Sequence, residues 1–446
     1  MTRQRVLFVT TDPLTEAMPG PAIRAWQLAS QLASHHEVKL VSSVACTRSH
    51  PDMEVGVADG AAVAALCDWM TMVVGPGSLI DRYPCIESSD KPVVVDIYDP
   101  YHLENLAGQS RSVEETDAVV RRLNGIVNKD LARGDFFLCA SERQRDFWLG
   151  SLTALGRVNA RTHEGDEGLS RLVAVVPFGV PATPPVRVGS GLDTVLPKGS
   201  RRWPIVLWGG GVYDWFDPLT LLRAVHSLRE ELPGIFLVFM GMGHPNPQIP
   251  EMAVATELRQ LAADLGMGPD AVAFNRSWVP FEERGAVLLD ADIGATTNLD
   301  HLEARFSFRT RMLDYLWAGL PTVATAGDVL SELVAAEGVG VAVAPGDVAA
   351  VADGLRRMAT SPPGADAVRA VAARFHWDRV VAPLLEYCDD PWRANDRLVM
   401  GTSALGTRRP VLPGLGASRT ASRTASSGAR LASGIARGFA RVRRAT

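Results

Sequence analysis

The stretch FSFRTRMLDYLWAGLPTVAT, Phe306 to Thr325, decides the fold. Leu313, Leu316 and Trp317 follow Arg309 and Arg311 at helical spacing, so the pattern predicts a helix starting near Phe308. Gly319 and Pro321 stop that helix, and TVAT reads as a short β-branched strand. A helix that turns on glycine straight into a strand is the repeating unit of a doubly wound α/β sheet. Arg311 falls close to the helix start, with Asp314 about one turn later on a neighbouring face. A guanidinium fork suits phosphate oxygens, and a carboxylate suits paired ribose hydroxyls. An ordinary amphipathic helix with an internal Arg–Asp pair has the same spacing, so the stretch by itself leaves both readings open.

Working outward, the same alternation recurs along the chain. RVLFVTTDP, EVKLVSS, MTMVVGP, PVVVDIYDP, DFFLCAS and RLVAVVPFGVP are apolar runs that end in turn residues, and AIRAWQLASQLASHH has helical periodicity. Runs this apolar imply strands covered on both faces, hence a parallel sheet between helices. After a Pro- and Gly-rich stretch, the alternation restarts with PIVLWGGG, the helix DPLTLLRAVHSLREEL, GIFLVFMGMG, the helix ELRQLAADLG and AVAFN. The expected organisation is two Rossmann-like doubly wound parallel-sheet α/β domains, 1–181 and 205–389. A linker spans 182–204, and a basic low-complexity tail spans 390–446.

Composition supports two ordinary globular domains. At 446 residues the chain is too long for one core, and 47% hydrophobic with 21% charged residues is typical of soluble proteins. Five scattered cysteines, with no CxxC pair, argue against a disulfide framework or a zinc site and suit a reducing compartment. VLFVTT is too short for the apolar core of a signal peptide, and no apolar run is long enough to span a bilayer. The expected location is cytoplasmic. The net charge of −5 hides an asymmetry: Leu398 to Thr446 holds nine arginines and no acid, leaving −14 on the rest. LASGIARGFARVRRA has the form of a basic amphipathic helix, and the tail is expected to be disordered. Two readings stay open for it, a solvated tail or a contact with the anionic inner face of the plasma membrane. No nucleic-acid partner is expected.

In doubly wound sheets, ligands sit at the carboxyl ends of the strands. Three such places are glycine-rich: Gly20 before Arg24, then Gly209, Gly210 and Gly211, and then Gly241 and Gly243. Such turns let backbone N–H groups approach a phosphate, although glycine at a strand exit is also common for steric reasons. None matches GxGxxG or GxxxxGK[ST], so neither an ordinary dinucleotide site nor a P-loop is supported.

With these features in order, residues 5–389 resemble a family 4 glycosyltransferase of the GT-B fold. LDYLWAGLPTVAT resembles the family's E-A-x-A-x-G-x-P-V-V segment, with Asp314 in the place of its second glutamate. VVPFGVP resembles I-P-N-G-V-D, LWGGGVYDWFDPLTLLRAV resembles V-G-R-x-x-x-x-K-G, and FLVFMGMG resembles L-x-I-V-G-x-G. FNRSWVPFEERGAVLLDADIGATT resembles the segment near the nucleobase, which brings in Arg276 and Trp278. GVGVAVAPGDVAAVADGL and FHWDRVV match the closing elements.

The resemblance implies a retaining transferase that uses a nucleoside-diphosphate sugar without an obligatory metal or other cofactor. The acceptor would be a glycan or lipid-linked molecule of polysaccharide or envelope biosynthesis. The donor would lie on the second domain, at Gly210, Gly211, Arg276, Trp278, Arg309, Arg311 and Asp314. The acceptor would face the first, near Gly20, Arg24, Tyr98 and His102, with Asp96, Asp99 and Glu303 as candidate catalytic carboxylates. Two departures stand out: the family's first motif glutamate is replaced by Phe306, with Glu303 three residues earlier, and GGGVYDWFDP lacks the basic pair that holds the diphosphate. Asp96 and Asp99 also fit structural roles at a strand end, and His102 fits a core histidine. A nucleotide-sugar epimerase and a non-catalytic nucleotide-sugar-binding scaffold remain as alternatives. A glycosyl phosphorylase is disfavoured, because Lys198, in the linker, is the only lysine from residue 182 onward.

Overall fold

The computed structural model describes residues 3–107, 112–193, 195–196, 203–246 and 249–397. Thirteen strands form two wholly parallel sheets among these residues. The first is built from β1 (Arg5–Thr10), β2 (Glu37–Ser42), β3 (Glu54–Val57), β4 (Met72–Pro76), β5 (Val93–Asp96), β6 (Phe136–Cys139) and β7 (Val173–Val175). Its order is β3-β2-β1-β4-β5-β6-β7. The second contains β8 (Ile205–Gly211), β9 (Phe236–Gly241), β10 (Val272–Phe274), β11 (Ile293–Thr296), β12 (Thr322–Thr325) and β13 (Gly340–Val343), in the order β10-β9-β8-β11-β12-β13.

Each order reverses direction beside its first strand, at β1/β4 and at β8/β11. These are the points where the connections run to opposite faces and leave a crevice at the carboxyl ends. The strands are apolar because helices cover both faces. Val6 and Phe8 point to one core and Leu7 and Val9 to another, all at most 2% exposed. β3 was not legible as a strand: it is an edge strand with an exposed or half-exposed EVGV sequence.

The Phe306–Thr325 stretch behaves largely as its spacing requires. The helix runs Thr310–Ala318, ends on Gly319 in the left-handed conformation (φ +79°), and feeds β12. It starts two residues later than expected because Leu302–Phe306 forms a separate short turn of helix and Ser307 is extended. Tyr315 locks it under the sheet, its hydroxyl accepting from Gly209 N–H at 2.7 Å and lying within 3.0 Å of the Leu207 and Ala295 carbonyls.

The segments at two expected boundaries pack against the domains. Linker residues pack on the second domain: Trp317 Nε1 donates to the Thr183 carbonyl (2.7 Å), and Leu192 N–H donates to Asp290 (2.8 Å). Residues 390–397 are not part of a free tail. Asp396 forms a buried ion pair with Arg157 (2.6 Å), and Trp392 donates to the Arg171 carbonyl (3.0 Å), so the segment closes back on the first domain. The rest of the tail, with its amphipathic and membrane readings, lies outside the described residues. No described helix is long and apolar enough to cross a membrane.

Candidate functional site

The carboxyl ends of the two sheets face each other across a cavity of about 390 Å³. Direct contacts hold the two sides together around it. Phe281 N–H donates to the Glu16 carbonyl (2.8 Å), Trp278 Nε1 to the Met18 carbonyl (3.2 Å), and Gln144 Nε2 to both the Tyr98 and Phe306 carbonyls (2.7 and 2.8 Å).

On the second-domain side, β8 runs out into Gly209, Gly210 and Gly211, which all border the cavity. Gly210 has φ +97°, a conformation that any side chain would strain. Below this turn Arg311 stacks on the rings of Trp208 and Phe216 (4.5 and 4.3 Å) and donates Nη2 to the Gly211 carbonyl at 2.8 Å. Its Nη1 is buried without a partner. Burial lowers its pKa to about 10, so it stays cationic at neutral pH. Thr310 and Arg311 border the cavity, and no side chain caps this helix end, so its positive pole faces the opening. Asp314 borders the cavity one turn on; burial raises its pKa, and Arg284 Nε at 3.3 Å opposes that.

Glu303 and Arg309 meet at the floor. Arg309 Nη2 donates to Glu303 Oε2 at 2.6 Å, both residues are at most 5% exposed, and both border the cavity. Glu303 Oε1 and Arg309 Nε have no partner. The pair is therefore half used, which distinguishes it from a finished structural bridge.

On the first-domain side, Gly20, Tyr98 and Asp99 border the cavity, together with Asp12 and Glu104. Burial raises Asp99 to about 7, with nearby Glu303 adding to the effect and a hydrogen bond from Glu104 opposing it. Burial likewise raises Asp12 to about 6, and it pushes Glu104 well above the usual carboxylate range.

Four expected residues do not reach the cavity. Arg24 and Asp96 neutralise each other beneath it: Nε and Nη2 donate to the two Asp96 oxygens (2.6 and 3.0 Å). Further donors reach the Val176 and Pro177 carbonyls, and the guanidinium lies against the Tyr98 ring. His102 packs on Phe147 and Trp148, and burial lowers its pKa to about 4, which keeps it a neutral core side chain. Arg276 is exposed and does not border the cavity.

Several bordering residues escaped the sequence reading. Asp12, Glu104, Tyr213, Trp215, His244 and Arg284 all face the cavity. Tyr213 and Trp215 stack on each other (4.8 Å between ring centres, 9° between planes), in the segment that lacks the expected basic residues. Their position in a strand-exit loop was the one available signal; nothing in spacing brings Glu104 to the same place. Among the described residues, no three His, Cys, Asp or Glu side chains are grouped to hold a metal ion.

Two parallel-sheet domains with facing carboxyl ends and a shared cleft define a protein of the GT-B architecture. Residues 204–361, most of the second domain, match the family model described as "Glycosyl transferases group 1". Similar solved structures cover nearly the whole described chain. Sucrose-phosphate synthase from Thermosynechococcus elongatus aligns with a TM-score of 0.61 at 15% identity, covering 86% of this chain and 98% of that one. HepE of Anabaena in complex with UDP aligns at 0.57 and 14%, covering 86% and 99%. WaaG, a glycosyltransferase involved in lipopolysaccharide biosynthesis, aligns at 0.56 and 15%, covering 86% and 95%. At such identities the likeness is one of fold. No match was found among curated proteins.

Proposed function

We propose that the cleft transfers a sugar from a nucleoside-diphosphate sugar to an acceptor held against the first domain. The observation that carries this is the convergence of one unpartnered Arg311 donor, an uncapped helix end, a glycine turn and Asp314 on one cavity. A diphosphate on the turn would take the Arg311 Nη1 donor and the positive end of the helix, while Asp314 would accept from ribose hydroxyls. As the glycosidic bond breaks, negative charge grows on the leaving diphosphate, and fixed donors of this kind are worth roughly 3–4 kcal/mol each.

In this reading Glu303 faces the reacting sugar, and its free Oε1 stabilises developing positive charge on the sugar ring. The transfer retains anomeric configuration, and the acceptor is a glycan or lipid-linked molecule. UDP and UDP-glucose in HepE support the choice of donor class. The scaffold reading is favoured by one observation, that Arg309 is already engaged by Glu303 through Nη2, which leaves few guanidinium donors for a diphosphate at the turn. Turnover separates the two readings.

The direct test is a thermal-shift panel of UDP, GDP, ADP, CMP and dTDP on wild type and Asp314→Ala. A nucleotide at a hundred times its Kd adds about 2.7 kcal/mol of stability. One nucleotide should raise the melting temperature of wild type and leave the variant unchanged. A shift of equal size in both would place the nucleotide elsewhere.

A further inference from the structure

We propose that the acceptor taken by this cleft carries a protonated amine; the inference rests on the transferase reading above. Asp12 and Asp99 come from the loops after β1 and β5, Glu104 from the helix Tyr101–Ala107 that follows the second, and all three border the cavity. No lysine or arginine of the described first domain borders it with them. The nearest candidate, Arg24, is consumed by Asp96 and two backbone carbonyls.

An independent observation comes from the second domain. Glu303 is 1% exposed, borders the same cavity, and keeps Oε1 without a donor while Arg309 holds Oε2. A buried carboxylate oxygen without a donor costs free energy unless something supplies one. The first-domain carboxyls crowd the same cavity. Asp99 and Glu104 share a hydrogen bond, and burial together with nearby Glu303 raises both, with Arg309, already held by Glu303, opposing the rise at Glu104.

An ammonium answers both needs, because it brings three donors and a positive charge. Tyr98 and Tyr213 also border the cavity, and aromatic rings suit a cation. A bound metal ion does not fit, since the described carboxylates are not grouped to hold one. A phosphorylated or carboxylated acceptor would bring like charge against this wall.

The test uses matched amines and their N-acetyl forms: glucosamine, galactosamine and 2-deoxystreptamine. Each is titrated calorimetrically into the full-length chain saturated with its stabilising nucleotide. At least one amine should bind about tenfold or more tightly than its acetylated counterpart, the size expected for a charged hydrogen bond. That preference should fall to near unity in Glu104→Gln and in Asp12→Asn. Equal binding within every pair, including no binding of either member, overturns the inference. So does a preference that survives both substitutions, or stabilisation by Mg²⁺ or Mn²⁺ that the amines do not displace. Nucleotide stabilisation in the same samples separates the failures. If it persists, the amine inference alone has failed; if it is absent, the transferase reading has failed with it.

Discussion

Two arginine–carboxylate pairs lie close to the cleft, and they differ in what they leave undone. Arg24 and Asp96 meet at 2.6 and 3.0 Å, and every arm of the guanidinium has an acceptor. Arg309 and Glu303 also meet at 2.6 Å, yet each keeps one buried polar atom unpartnered. The first pair joins the helix Gly20–Ala33 to the end of β5 and does not border the cavity beyond the Tyr98 ring. The second pair forms part of the cavity floor. Both carboxylates were equally plausible catalytic groups by position. What separates them is hydrogen-bond satisfaction: a completed buried pair is structure, and an incomplete one at a cavity is available for a ligand.

The largest effect should come from breaking the completed pair. Arg24→Ala leaves Asp96 charged without its partner, so the denaturant midpoint should fall by an amount equivalent to about 3–5 kcal/mol. A loss below about 1 kcal/mol would mean that the pair is not the lock it resembles. Tyr315→Phe should cost less, about 1–3 kcal/mol, because it strands the Gly209 N–H that holds the glycine turn in place. Nucleotide affinity should weaken along with stability; an unchanged affinity would separate the turn from donor binding.

A further effect concerns the acidic wall. Asp99 is raised from the ordinary 3.8 to about 7, so the folded chain keeps a proton that the unfolded chain releases. Its contribution to stability therefore declines as pH rises from 3.8 through 7. Asp99→Asn should remove that decline and gain on wild type in melting temperature between pH 5 and pH 8. Parallel curves would show that Asp99 ionises normally.

Much of the architecture was legible because both sheets are buried on both faces, which leaves apolar runs as plain as VLFVT and IVLW. The glycine stop of the Phe306–Thr325 stretch and the placement of Arg311 and Asp314 at the cavity were readable for the same local reason. The site's other wall was not. Arg24 and Asp96 are 72 residues apart, and nothing in either segment announces that they consume each other. Glu104 and Asp12 reach the cavity only because strand order brings β1 and β5 to opposite sides of β4. Residues 390–397 looked like the start of a tail because a short segment docked by Trp392 and Asp396 has no periodicity to read.

The most direct measurement is release of nucleoside diphosphate from a panel of nucleotide sugars by wild type and Glu303→Gln, with nucleotide binding followed in parallel. The account predicts turnover of one donor by wild type, faster with acceptor present. It predicts a loss of about 10²–10³-fold in the variant, with nucleotide affinity largely kept. Wild-type turnover in Glu303→Gln would contradict the account, because the half-used pair at the cavity floor would then be structure after all.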